Sequence, residues 1–243
     1  MQLSRLDFLV GTCGILAGGC REKDSPSGAM AARVHSDTSR ARAEPLYLYP
    51  ERSPYDRGFD DDAYALLVNR ILLRDTSTPC CQLVVEPAFR NEHAVFIAWR
   101  GTSCKLVLRE AFERLRSLLC WRVQAGLPPA MAAQRVNDAV QESSRAIPRG
   151  LGSLLEQCWM DMLLRTSPRP APRFIPDATG YHFSHEHLAG QICSPPQETV
   201  ARAFVDLGAQ MTRTARALRA DFERAANDLD ECARGFLATL KGR

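Results

Sequence analysis

Residues 174–196 read Phe174-Ile-Pro-Asp-Ala-Thr-Gly-Tyr-His-Phe-Ser-His-Glu-His-Leu-Ala-Gly-Gln-Ile-Cys-Ser-Pro-Pro196, and they hold three of the five histidines of the chain. Alternation over 181–184 sets Tyr181 and Phe183 on one side and His182 and Ser184 on the other, which predicts a short strand. Residues 190–193 predict a second. The two are expected to pair antiparallel around a turn at 185–189, with Ile192 facing the aromatics across the pair and Gly190 letting the chain turn back. Ser194-Pro195-Pro196 stops the strand, because proline cannot donate to a ladder. A hairpin this late in the chain, followed directly by helical periodicity, argues for segregated strands and helices rather than βαβ repeats.

Downstream, Val200, Phe204, Leu207, Met211, Ala215, Leu218, Phe222 and Leu229 recur in steps of three and four. They predict one long helix over 198–232, with Arg202, Arg213 and Arg224 on the opposite, solvated face. Upstream, Leu151, Leu154, Leu155, Cys158, Trp159, Met162 and Leu163 predict an amphipathic helix over 151–165 with Trp159 in the core, and the prolines of 167–172 impose an extended connector. The spacing also predicts helices over 110–120 and 130–144. Residues 81–86, 93–99 and 104–108 are short and apolar, the first rich in β-branched residues, and predict a β-meander. Cys104, Leu106 and Leu108 share one face of its third strand. A helix over 63–73 follows three aspartates, 60–62, whose place in a first turn suits the unpaired amides and the dipole there better than it suits a metal. The expected fold is α+β: a small antiparallel sheet (meander plus C-terminal hairpin) packed on one side by amphipathic helices, in a single domain over 45–243.

The chain has 243 residues, 45 % hydrophobic content and a formal net charge of +3. That charge is too mild to argue for nucleic acid or for an anionic membrane. Residues 1–20 carry a basic start, a short apolar run and Leu16-Ala-Gly-Gly-Cys20, the layout of a signal peptide or lipoprotein signal. On that reading Cys20 is the lipid attachment site, 21–44 is a disordered tether rich in Ser, Ala, Arg and Asp, and the protein is periplasmic and membrane-tethered. The alternative is a start at Met30 and a cytoplasmic protein. Seven cysteines remain after Cys13 and Cys20, an odd number without C-x-x-C or zinc spacing.

Phosphate-loop, dinucleotide, nucleophile-elbow and zincin motifs are absent, and no cofactor is implied. The focal stretch is the remaining candidate for chemistry. Asp177 and His182 are the candidate catalytic acid–base pair. Tyr181, His185 and His187 are the candidate binding residues. His185 and His187 would share a face if the extended geometry continued, with Glu186, Asp177 or Cys193 as a third metal ligand. Lacking a fixed third partner, they are read as solvated turn residues and no metal is assigned.

The run Asp177-Ala-Thr-Gly-Tyr-His-Phe-Ser184, then Gly190-Gln191 and Ser194-Pro195-Pro196, with Trp159-Met-Asp-Met-Leu163 upstream, resembles small proteobacterial envelope proteins of unestablished activity. In these an Asp-Gly-x-x-Tyr-x-Phe run is followed by a Gly and a Ser-Pro; Ala178 stands here for the usual glycine. The resemblance covers the last third of the chain and implies a shared fold, with no catalytic residue to carry over. Two functions are expected in order: a non-enzymatic envelope protein binding a protein or cell-wall partner, then a metal-assisted or acid–base enzyme centred on 177–187.

Overall fold

The computed structural model describes residues 47–50, 59–73, 80–124, 126, 140–167 and 178–242. The signal segment, Cys20, the tether and Met30 lie outside the described residues, as do Asp177 and residues 168–172 of the connector. Residues 43–243 form a compact unit. Its elements, in chain order, are β1 (Tyr49–Pro50), α1 (Phe59–Leu72), β2 (Cys80–Glu86), β3 (His93–Arg100), β4 (Ser103–Ala111), α2 (Leu115–Gln124), β5 (Val140–Ile147), α3 (Arg149–Leu163), β6 (Gly180–His185), β7 (Leu188–Cys193), α4 (Val200–Arg216) and α5 (Phe222–Lys241).

The described strands form one antiparallel sheet in the order β1-β7-β6-β2-β3-β4-β5, so the fold is α+β. The meander and the hairpin are joined through β2 and β6. Helices cover both faces, where packing on one side was expected. On one face α3, α4 and α5 bury Trp159, Phe204, Leu207, Met211 and Phe236 against Leu83, Ile97, Leu106, Leu108 and Phe183. On the other, α1 and α2 bury Tyr64, Leu67, Val68, Ile71, Leu115 and Leu119 against Val84, Ala94 and Ala111. Burial on both faces is the reason residues 94–97 are apolar without alternation.

Three helical expectations need correction. Residues 140–147 form a strand, not the end of a polar helix: β5 pairs with β4 from Ala111↔Val140 to Cys104↔Ile147. Its polar side chains suit a sheet edge, and Glu142 meets Arg109 directly across the pair at 2.8 Å. The helix expected from 110 begins at Leu115, because β4 runs on to Ala111; Phe112, expected on its apolar face, is 63 % exposed. The long C-terminal helix is two: Ala217 is extended (φ −56°, ψ 138°) and closes α4, and α5 starts anew after Asp221. Leu218 therefore lies in the break, exposed, and Arg213 and Arg224 sit on different helices rather than along one stripe.

The start of α4 is held by Thr199, whose Oγ1 accepts from the Arg202 amide at 3.1 Å and donates to the Pro196 carbonyl at 2.8 Å. Two of the close approaches that glycine permits bear on the hairpin and the helix packed on it. A Cβ on Gly208 of α4 would sit 2.3 Å from Leu83 Cδ2, and one on Gly190 of β7 would sit 2.9 Å from Thr166 and 3.1 Å from Leu48. Gly190 thus serves packing inside a strand, not the reversal of the chain.

Candidate functional site

The hairpin is tighter than expected. Tyr181 pairs with Ile192 as anticipated, but the ladder continues to His185↔Leu188, leaving Glu186 and His187 as a two-residue turn with Glu186 at φ 52°. The open ends are clasped by two bonds of 3.0 Å, Ser194 N to the Thr179 carbonyl and Thr179 N to Ser194 Oγ. His185 is consequently buried in the strand, not open to water in a turn, and its Nδ1 has no hydrogen-bond partner. His187 is exposed at the tip. The two do not share a face, and among the described residues no group of three His, Cys, Asp or Glu side chains is placed to hold a metal.

Alternation along β6 sends the remaining candidates to opposite faces of the sheet. His182 and Ser184 face α1, where a cleft of about 180 Å³ opens between that helix and strands β2 and β6. Gln82 pairs with Ser184 and Val84 with His182, so Glu86 lies diagonal to the imidazole. Its Oε2 is 3.5 Å from His182 Nε2, with the two side chains 23 and 28 % exposed. The carboxylate beside His182 in the described residues is therefore Glu86, on the neighbouring strand β2 but far away in sequence; Asp177, the expected partner, lies outside them. Asn69 of α1 completes the polar lining.

Tyr181 faces the opposite way. It stands in a row across four strands, Tyr181↔Val85↔His93↔Glu110, at the floor of an open groove of about 640 Å³. Arg216, in the last turn of α4, closes one side and binds Glu110 through two guanidinium nitrogens, Nε at 3.1 Å and Nη2. The loop carrying Phe89, Arg90 and Asn91 closes the other. Tyr181 and His182 therefore serve different cavities, and the three hairpin histidines occupy three separate environments.

No family model matches the chain, and no curated protein or solved structure matches it. Its chemistry is therefore read from its own side chains.

Burial, reinforced by the Arg216 guanidinium, lowers the His93 pKa from 6.5 to about 4. His93 is thus neutral at neutral pH. Between those two values the unfolded chain binds a proton that the folded one refuses, so stability rises with pH across that window and is lost as pH falls through it. The effect is at most about 3 kcal/mol, less where the ring edge reaches groove water. Denaturant midpoints of wild type and His93→Gln, measured at about pH 7 and about pH 4.5, should show wild type losing stability relative to the variant at the lower pH. Parallel slopes would show that His93 is ordinarily solvated.

Cys80, Cys104 and Cys158 are not thiolate nucleophiles at neutral pH. Burial, first among the causes, raises Cys80 to about 11 and Cys104 and Cys158 to about 12, so all three stay protonated at neutral pH. Cys158 lies wholly buried in the core as a small hydrophobe.

The residues that sequence reasoning missed are Glu86, His93, Glu110, Arg216 and Phe89. Gln82 and Glu86 did carry a local signal, two polar residues on one face of an otherwise apolar strand. Arg216 and Glu110 carried none, since only the docking of α4 brings them together.

Proposed function

We propose that the protein is a non-enzymatic, envelope-associated binding protein, tethered through an acylated Cys20, which takes a protein or cell-wall partner at the groove beside Phe89. The observation that carries this reading is a pair of phenylalanines presented to solvent on loops that are held in place. Phe89 is 71 % exposed and lines the groove; Phe112 is 63 % exposed on the neighbouring loop. Asn91 Nδ2 donates to the Phe112 carbonyl at 2.9 Å, and Arg114 donates to the Ala88 carbonyl, so the two loops form one unit. Large aromatics fixed on a rigid support lose little entropy on binding and are the usual anchors of protein interfaces. The likeness of 177–196 to envelope proteins supports the same location. No helix among the described residues is long and apolar enough to cross a membrane, so in this reading the lipid on Cys20 is the link to the bilayer.

A second reading, an acid–base enzyme centred on the 177–187 segment, is favoured by the His182–Glu86 pair, with Glu86 in the role expected of Asp177. One experiment addresses the binding reading. A photo-cross-linking residue placed at Arg90, beside the groove, should give discrete adducts in the membrane fraction. Phe89→Ser with Phe112→Ser should abolish them without changing the melting temperature, and Cys20→Ser should move protein and adducts to the soluble fraction. Adducts unaffected by the phenylalanine changes would sink the groove; unchanged fractionation of Cys20→Ser, or a mature N-terminus at Met30, would sink the tether.

A further inference from the structure

Where α1 lies on the sheet, apolar side chains are expected on both partners, and over much of the contact they are present: Tyr64, Leu67, Val68 and Ile71 pack on Val84, Ala94 and Ala111. The pattern fails at one end. On the same sheet face Gln82, Glu86, His182 and Ser184 replace apolar residues, and α1 answers with Asn69 and the small Ala65. The result is a hollow of about 180 Å³ in a region that helix-on-sheet packing would ordinarily fill. Holding a carboxylate and an imidazole at less than a third of full exposure costs solvation that apolar residues at the same positions would not. Polar groups retained there against that cost converge on a space, which is the signature of a ligand site.

The lining restricts the ligand. Among the described residues around the hollow there is no lysine or arginine, and Glu86 repels anions. The amides of Asn69 and Gln82, the hydroxyl of Ser184 and the imidazole of His182 both donate and accept hydrogen bonds, and Glu86 accepts. Hydroxyl groups, which also do both, are the complement. An ammonium ion only donates and would leave the amide N–H groups unserved. The volume equals about six waters at roughly 30 Å³ each, the space of one sugar ring.

We infer that the cleft between α1 and strands β2 and β6 is a binding site for a compact, uncharged polyhydroxy ligand of sugar-ring size, held by Glu86, His182, Gln82, Ser184 and Asn69. The site is independent of the groove beside Phe89, which opens on the other face of β6, so either can fail without the other.

The test uses the purified full chain with ¹³C-labelled histidine imidazoles, titrated separately with glucose, inorganic phosphate and methylammonium. Glucose should shift the His182 resonances saturably, with a dissociation constant of about 1–10 mM, and leave those of His185 and His187 in place. Glu86→Gln should weaken binding about tenfold, the loss of one charge-assisted hydrogen bond. Asn69→Ala, at an exposed position, should weaken it about threefold. Ala65→Leu, which fills the hollow, should abolish it. The inference is overturned if glucose leaves His182 unmoved at about 100 mM, if phosphate or methylammonium binds more tightly than glucose, or if folded Ala65→Leu or Asn69→Ala binds glucose as wild type does.

Discussion

Trp159→Ala is expected to leave little folded protein. The indole is fully buried on α3, its ring 4.6 Å from Phe204 and 6.0 Å from Phe183, and Phe204 in turn stacks on Phe236 of α5 at 5.2 Å. These four rings join three helices to the strand that carries His182. The indole nitrogen also donates to the Gln82 carbonyl at 3.2 Å, within the irregular stretch of β2 where the register with β3 shifts between Cys80 and Leu83. Truncation therefore removes the largest fully buried side chain among the described residues, together with its hydrogen bond to the Gln82 carbonyl. Large-to-small changes at buried aromatics cost about 3–5 kcal/mol, and a domain has roughly 5–15 kcal/mol in total. Trp159→Phe keeps most of the volume and loses the hydrogen bond, so it should cost about 1–3 kcal/mol. Urea unfolding followed by circular dichroism measures both. A Trp159→Ala midpoint corresponding to within about 1 kcal/mol of wild type would show that the ring does not organise the core.

How much of this was legible follows from where each signal originates. The meander and the hairpin announce themselves locally, through β-branched runs, alternation and the Ser-Pro-Pro stop, and so does the apolar stripe of α3. β5 does not. Gln141-Glu-Ser-Ser-Arg145 has no strand pattern of its own, and its conformation comes from eight register pairs with β4. The break between α4 and α5 is equally silent, because residues 217–221 contain neither glycine nor proline; packing overrides helix propensity there. Helices on both faces were foreshadowed by residues 94–97, an apolar run that a one-sided sheet has no use for. At the site, alternation correctly separated Tyr181 from His182, but an isolated sequence cannot say which carboxylate stands beside an imidazole. Glu86 reaches His182 only because β2 and β6 are neighbours, an adjacency set by the sheet order. His185 was misread for a local reason: two turn residues suffice where five were expected, so the strand extends and carries that side chain into the core.

Glu92 supplies the second large effect, and it links stability to the groove. The residue is 2 % exposed yet carries a carboxylate. Its Oε1 accepts from the Tyr64 hydroxyl at 2.8 Å and from the Arg116 amide at 3.3 Å, and its Oε2 accepts from the Leu115 amide at 2.8 Å. Glu92 thereby satisfies the opening amides of α2, a helix-capping role exercised from 23 residues upstream. Its own carbonyl accepts from the Ala111 amide at 3.0 Å, which draws the end of β4 toward the same point. The Arg116 guanidinium lies 4.6 Å above the Tyr64 ring, closing the arrangement from outside. Glu92→Ala leaves three donors without their acceptor, and because these bonds share one group the loss is less than their sum, about 3–5 kcal/mol. Glu92→Gln should fare little better, since its amide N–H₂ must face one of the donors. For a unit of this size the fall in melting temperature is roughly 10 °C. Tyr64→Phe removes one stranded hydroxyl, so it should cost clearly less in the Glu92→Ala background than in wild type. Thermal melts of the three variants measure this, and additive effects, or a Glu92→Ala melt within about 3 °C of wild type, would show that the carboxylate does not hold α2. Phe112 and Arg114 lie between β4 and the helix that Glu92 caps. The same substitution should therefore loosen the loop pair beside the groove and cost cross-linking at Arg90 at temperatures where the rest of the sheet is still folded.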